Sequence, residues 1–372
     1  MRVIVVGGGV LGTMHAWQAL ERGHEVVQLE REPEARGASV RNFGLVWVSG
    51  RAAGPEVEAA QRARDHWERI AESVPGLGFR ANGSLTVLRT DGELAVGERF
   101  AAGPDAAARG TTLLSPGKAR SINPALRGEM RGALWSERDA AVEPRTAQPA
   151  LRAHLAATGR YRWLPGREVV EVAEGSVRDD HGQRHTADVV VLCTGAVLSG
   201  PIRELAPEPP VRRVRLQMMQ TAPLDEPLTT SVADGDSLRY YPAYRGAALD
   251  ELTAAEPQSP VAAEHAMQLL MVQRLDGGLT IGDTHAYEEP FPFDVTEEPY
   301  EHLRERVAEL LGRPAPEIRR RWAGVYAQCL DGGRLVHREE VAPGVWLVTG
   351  PGGRGMTCSP AIAADTATEA GL

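Results

Sequence analysis

Cysteine is scarce in this chain, and the three present, Cys193, Cys329 and Cys358, are too scattered for a disulfide framework or metal-ligand pairs. They read as reduced, packed thiols, and no metal site is expected. No window approaches the run of about eighteen apolar residues that a membrane span requires. Lysine is almost missing, Lys118 being the single example, although no function follows from that imbalance. Cationic excess is missing too: 41 basic against 50 acidic residues leave a net charge of -9. Such a chain has no overall positive field to gather nucleic acid or anionic membrane, so small-molecule chemistry becomes the leading class. Met1 runs almost at once into Val3-Ile4-Val5-Val6, with no room for the parts of a secretory leader. A cytoplasmic location is the corresponding expectation.

What is present is glycine in an informative place. A β-branched strand leads into Gly7-Gly8-Gly9-Val10-Leu11-Gly12, a helix over residues 14–22 follows, and a second strand over 25–29 ends at Glu30. This βαβ opening implies a parallel sheet covered by helices. Strands over 168–172 and 176–178 form a small meander, which feeds an apolar strand over 188–193 of the parallel-sheet type. The middle, from about 212 to 283, alternates as half-solvated antiparallel strands do, and so belongs to a second domain. A helix is expected over 300–311 and a last buried strand over Val345–Thr349. The Ala/Gly-rich stretch from 101 to 110 is expected to be a mobile connection.

In Gly7-x-Gly9-x-x-Gly12 the first glycine makes the tight turn, the second admits a diphosphate, and the third lets helix approach strand. Glu30 follows at the end of the next strand, where a carboxylate can accept hydrogen bonds from ribose hydroxyls. The fingerprint indicates adenosine diphosphate but does not separate NAD from FAD. Two further loops bear on that choice. Residues 37–47 gather small and polar groups and Arg41 with Phe43, Leu45, Val46 and Trp47, four apolar side chains that would be costly to expose together. Gly350-Pro351-Gly352-Gly353-Arg354-Gly355-Met356-Thr357 joins a buried strand to an Ala-rich helix, a second anion-cradling arrangement.

The glycine turn with Glu30, the Ala38-Ser39-x-Arg41-Asn42-x-Gly44 loop, Val142-Glu143-Pro144-Arg145, Cys193-Thr194-Gly195 and the last glycine loop occur in one order. Together they resemble the FAD-dependent amine and amino-acid oxidoreductases that include glycine oxidase, sarcosine oxidase and D-amino acid dehydrogenases. The resemblance implies an α/β protein: a Rossmann-like FAD-binding domain with a central parallel sheet, and an α+β substrate domain with a mostly antiparallel sheet. The FAD-binding domain would comprise residues 1–75, 137–210 and 318–372, and the substrate domain 76–136 and 211–317. FAD contacts would come from Gly7, Gly9, Val10, Leu11, Gly12, Glu30 and Arg31 at the first turn. The next loop would add Ala38, Ser39, Arg41, Asn42, Phe43, Gly44 and Leu45. Val169, Thr194, Gly195, Gly353, Arg354, Gly355, Met356 and Thr357 complete the set. Cys329 lies several residues beyond the position that carries a covalent flavin link in sarcosine oxidases, so the FAD is expected to be non-covalent.

More narrowly, Ser39-Val40-Arg41-Asn42-Phe43-Gly44-Leu45-Val46-Trp47 and Gly278-Leu279-Thr280-Ile281-Gly282-Asp283-Thr284-His285 look like a bacterial subgroup associated with aminophosphonate breakdown. There is one departure from the glycine-oxidase-like pattern. The arginine that grips the substrate carboxylate after Trp-Ala-Gly is replaced by Tyr326, following Trp322-Ala323-Gly324-Val325. Substrate-binding candidates are therefore Tyr241, Tyr326, Arg239, His285, Trp47 and Arg354, with Arg245 and Arg274 as further guanidinium forks. If residues 239–245 form a strand, Arg239 and Tyr241 share one face and Tyr240 points oppositely.

The expected reaction is oxidative deamination or N-dealkylation of a small amine carrying an anionic group. Hydride passes to flavin N5, and the resulting imine hydrolyses. Oxygen or another acceptor takes the electrons. The alternative substrates are a D-amino acid, glycine, or a secondary amino acid such as sarcosine or iminodiacetate.

Overall fold

The computed structural model describes residues 1–372. A six-stranded sheet has the order His337–Ala342, Val345–Thr349, Val189–Leu192, Arg2–Val6, Glu25–Glu30, Tyr161–Pro165. Its pairings are parallel except at the His337–Ala342 edge, which runs antiparallel. The central strands read as near-continuous apolar runs because both their faces are covered. Helices Val10–Glu21 and Gly355–Glu369 pack on one face and share a core with Trp67 and Ile70 of helix Pro55–Ser73. Three short antiparallel strands, Val169–Ala173, Ser176–Asp179 and Arg184–Thr186, make the meander on the other side.

The second unit is an eight-stranded sheet in the order Ile318–Cys329, Val211–Pro223, Gly278–Gly282, Leu270–Gln273, Ser231–Ala233, Ser84–Leu88, Gly132–Ser136, Thr111–Leu114. It is antiparallel throughout apart from the pairing of Ser231–Ala233 with Ser84–Leu88. Helix Glu298–Leu311 covers one face through Tyr300, Leu303 and Val307, at the positions its helical spacing dictates.

Several expectations are corrected here. Ile318–Cys329 pairs with Val211–Pro223 along nearly its whole length, so it belongs to the large sheet. The middle strands are not half-solvated. Val214 to Thr221 are all buried, because the helix covers one face and the other backs onto the first unit. Polar members of the alternation are satisfied internally: the Gln217 side-chain amide donates to the Thr296 carbonyl at 3.0 Å. Within the stretch from 101 to 110, Pro104–Ala108 is helical, with proline in the first turn. Residues 239–245 are not a strand: helix Asp236–Tyr240 ends at Tyr241 and the turn Pro242–Tyr244 follows. No helix is long and apolar enough to cross a membrane.

Candidate active site

The glycine turn is built as its spacing implies. Gly7 has φ +109°, and a Cβ there would lie 2.3 Å from the Cys193 carbonyl oxygen. The first intrahelical bond runs from the Thr13 N–H to the Gly9 carbonyl at 2.9 Å, which leaves the preceding amides of the turn without helical partners. Two of them are engaged by side chains: Val10 N–H donates to Ser39 Oγ at 2.8 Å, and Gly8 N–H donates to Glu30 Oε2 at 2.7 Å. Glu32 N–H reaches the other Glu30 oxygen at 3.0 Å. Glu30 is therefore held in place by backbone donors and retains further lone pairs for a ribose.

From this turn a single cavity of about 1130 Å³ runs between the two units, beyond the roughly 300–1,000 Å³ typical of a small-ligand pocket. Of the expected cofactor contacts, Gly7, Gly9, Val10, Leu11, Glu30, Arg31, Ala38, Ser39, Arg41, Asn42, Phe43 and Leu45 line it. So do Val169, Thr194, Gly195, Gly353, Arg354, Gly355 and Met356. Gly12, Gly44 and Thr357 do not. Gly12 packs against the Gly7 carbonyl, Gly44 against that of Val142, and Thr357 Oγ1 accepts the Trp47 N–H at 2.9 Å. These three hold the loops around the cavity and do not form its surface. Gly9 leaves the wall open, since a Cβ on it would come within 2.9 Å of Ser39 Oγ. The elongated volume, the free helix-terminal amides and the glycine-lined ends together fit an adenine dinucleotide.

The far end of the cavity is lined by Trp47, Tyr240, Tyr241, Gln268, Asp283, His285, Tyr287 and Tyr326. The tyrosine arrangement differs from the expected one. Tyr241 stacks on Trp47 with ring centroids 5.7 Å apart, whereas the Tyr240 hydroxyl lies 3.8 Å from the position of a Cβ on Gly353. The Tyr326 hydroxyl lies at the same 3.8 Å and has no hydrogen-bond partner despite its burial. Burial pushes the Tyr240, Tyr241 and Tyr326 hydroxyls well above the usual phenol range, so they act as neutral donors.

The arginine candidates divide by what already occupies them. Arg239 lines the cavity but donates to Asp236 and to the Thr253 hydroxyl, and Arg274 donates to the carbonyls of Phe43 and Val142. Arg274 lies outside the cavity lining, buried between the units, with its pKa lowered to about 10 by that burial. Neither is a free fork for an anion. Arg354 donates to Glu56 at 3.1 Å, and Arg51 lies 3.9 Å from the same carboxylate. This buried cluster carries one net positive charge beside the Gly352 to Met356 loop. Arg245 is exposed at the cavity and forms no ion pair within the chain.

Sequence reasoning missed Tyr240, which the strand assumption turned away from the site. It also passed over Asp283, Gln268, Tyr287, Arg51 and Glu56. Asp283 had a signal, two residues before His285 at a strand end; the Arg51–Glu56–Arg354 cluster had none, being made by tertiary packing alone.

The family described as DAO, FAD dependent oxidoreductase, matches residues 2–369. A D-amino-acid oxidase of Streptomyces coelicolor is 30% identical over 271 residues, covering 70% of this chain and 74% of that protein. The Rhizobium etli protein named for thiamine biosynthesis, ThiO, is 33% identical over 226 residues, 59% of this chain, and the match spans 60% of its length. The glycine oxidase of Geobacillus kaustophilus superposes with a TM-score of 0.77 at 20% identity, covering 99% of this chain and 94% of that one. The iminodiacetate oxidase of Chelativorans sp. BNC1 gives a TM-score of 0.75 at 17% identity, covering 100% and 95%. At these identities the two structures establish the shared fold.

Proposed function

The chain belongs to the family of FAD dependent oxidoreductases, and from that premise we propose that it oxidises a small amine at the carbon bearing nitrogen. The observation that carries this reading is the continuity of the cavity: the glycine turn at one end and the tyrosine-lined chamber at the other share one space. Bound there, FAD supplies the two-electron acceptor for breaking a C–H bond. The chain's own residues have the remaining tasks. They hold the cofactor non-covalently, position the amine carbon, shield it from water, and anchor the rest of the substrate.

The substrate is a small amine with an anionic group, oxidatively deaminated or N-dealkylated through an imine that hydrolyses, with aminophosphonates as the narrower class. Tyr326 supports that choice. It stands where an arginine clamp for a plain amino-acid carboxylate would be expected, and its partnerless hydroxyl can donate to a phosphonate oxygen. Arg245 supplies free positive charge at the same cavity. A second reading, oxidation of a D-amino acid, glycine or a secondary amino acid, draws on the names of the similar proteins. An anaerobic panel of glycine, sarcosine, D-alanine, iminodiacetate and 2-aminoethylphosphonate separates the two. Bleaching of the flavin by the phosphonate supports the first reading, and bleaching by the amino acids alone supports the second.

A further inference from the structure

Asp283 is 5% exposed and lines the cavity, and its Oδ1 has no hydrogen-bond partner. Its nearest basic group is the His285 ring, whose Nε2 lies 3.8 Å from Oδ2, too far for a hydrogen bond. The other ring nitrogen, Nδ1, lies 2.9 Å from the Ala266 carbonyl, which can only accept, so Nδ1 carries a hydrogen that is already engaged. Gln268 Oε1, also buried at the cavity, is without a partner. The chamber thus brings together two partnerless acceptor oxygens, Asp283 Oδ1 and Gln268 Oε1. No arginine forms an ion pair with Asp283, and burial pushes its carboxyl pKa up.

The surrounding walls are aromatic. Tyr240 stacks on His285 with centroids 4.6 Å apart, and Tyr287 stacks beyond it at 6.2 Å. Tyr240, Tyr241, Tyr287 and Tyr326 line the same cavity as Asp283. A buried carboxylate oxygen without a hydrogen-bond partner is costly. Aromatic faces together with one carboxylate make a complete site for a compact organic cation.

We infer that Asp283 anchors the nitrogen of the substrate in its ammonium form, enclosed by Tyr240, His285 and Tyr326. The subsite takes a primary or secondary alkylammonium and rejects a neutral isostere of the same shape. This rests on the reading of the cavity as an amine-oxidising site. The free amine needed for oxidation forms when one N–H bond breaks, leaving its electron pair on nitrogen and its proton on an Asp283 oxygen.

The test uses two pairs of probes on the FAD-loaded protein, each pair differing only by ammonium against methyl: 2-aminoethylphosphonate with propylphosphonate, and glycine with propionate. Affinities are read by calorimetry in the absence of oxygen on protein whose FAD has first been reduced, so that no probe is oxidised during the titration, for wild type, Asp283→Asn and Asp283→Glu. In at least one pair, wild type is expected to prefer the ammonium member at least about tenfold, the size of one charge-assisted hydrogen bond. Asp283→Asn should bring that ratio close to one with little change for the methyl member, while Asp283→Glu retains part of the preference. A wild-type protein indifferent to the ammonium in both pairs overturns the inference, as does an Asp283→Asn protein that keeps the preference. The wild-type comparison decides even if the asparagine variant does not fold. Flavin bleaching is scored separately: an ammonium preference without bleaching keeps the Asp283 subsite and removes the oxidase reading.

Discussion

Gly12 sits so close to Gly7 that a Cβ on Gly12 would lie 2.1 Å from the Gly7 carbonyl oxygen. Helix and strand touch backbone to backbone there, and the contact fixes where the first amides of the helix point. Gly12→Val should force the helix away and cost about 3 kcal/mol or more, within the range of severe core disruptions. Thermal denaturation and the flavin absorbance of the purified protein should both register the loss. Gly9→Val makes an informative contrast, because its side chain meets Ser39 Oγ and the cavity, with no backbone in the way. It should fold and lack FAD. Normal flavin occupancy in Gly9→Val contradicts this placement of the diphosphate.

Tyr326→Phe removes a buried hydroxyl that has no partner in the chain. Stability should therefore hold or rise by up to about 1 kcal/mol, since a desolvated group is relieved. KM for an anionic amine should rise about tenfold with FAD still bound, reflecting one lost hydrogen bond to the substrate. Steady-state kinetics beside a melting curve checks both halves. An unchanged KM removes Tyr326 from the anion site.

The Arg51–Glu56–Arg354 cluster places a net positive charge next to the loop assigned to the flavin. Arg354→Met should make it harder to add negative charge there, moving the flavin potential to a more negative value. A loss of about 1.4 kcal/mol corresponds to about 30 mV for a two-electron couple. Equilibration with redox dyes measures it, and a potential at or above the wild-type value counts against the cluster's electrostatic role.

His15 is buried in the helix of the glycine turn, and desolvation lowers its pKa to about 4 from 6.5. The folded state therefore resists protonation while the unfolded chain accepts it. Stability from this group is fully present above pH 6.5 and is lost progressively as pH falls from 6.5 toward 4. At about 1.4 kcal/mol per pH unit, lowering the pH from 7 to 5 should cost about 2 kcal/mol. His15→Gln should flatten that part of the profile in urea titrations at each pH. Parallel profiles for the two proteins would refute the assignment.

How much of this was legible in the sequence depends on whether local or distant residues decide. The Gly7 to Glu30 unit was readable because turn, helix and strand lie adjacent in the chain and each position has a steric reason. The strand at Val345–Thr349 and the helix carrying Tyr300, Leu303 and Val307 were readable from their periodicity. The sheet membership of Ile318–Cys329 was not readable, because it is set by pairing with a strand about a hundred residues earlier. The chemistry at the far end of the cavity was partly hidden for a similar reason. Tyr240 and Tyr241 both line it because a helical turn, Asp236–Tyr240, stands where a strand would have turned Tyr240 away. The fates of Arg239 and Arg274 were hidden altogether, since only tertiary packing supplies the carboxylate and carbonyls that occupy them.

The most direct measurement is the visible spectrum of the purified, FAD-loaded protein under oxygen-free conditions as the amines of the panel are added one at a time. A flavin spectrum is expected from the outset, bleached by at least one small anionic amine, with one carbonyl compound released for each flavin reduced. A protein that takes up no FAD, or a yellow protein that no amine in the panel bleaches, would contradict that expectation.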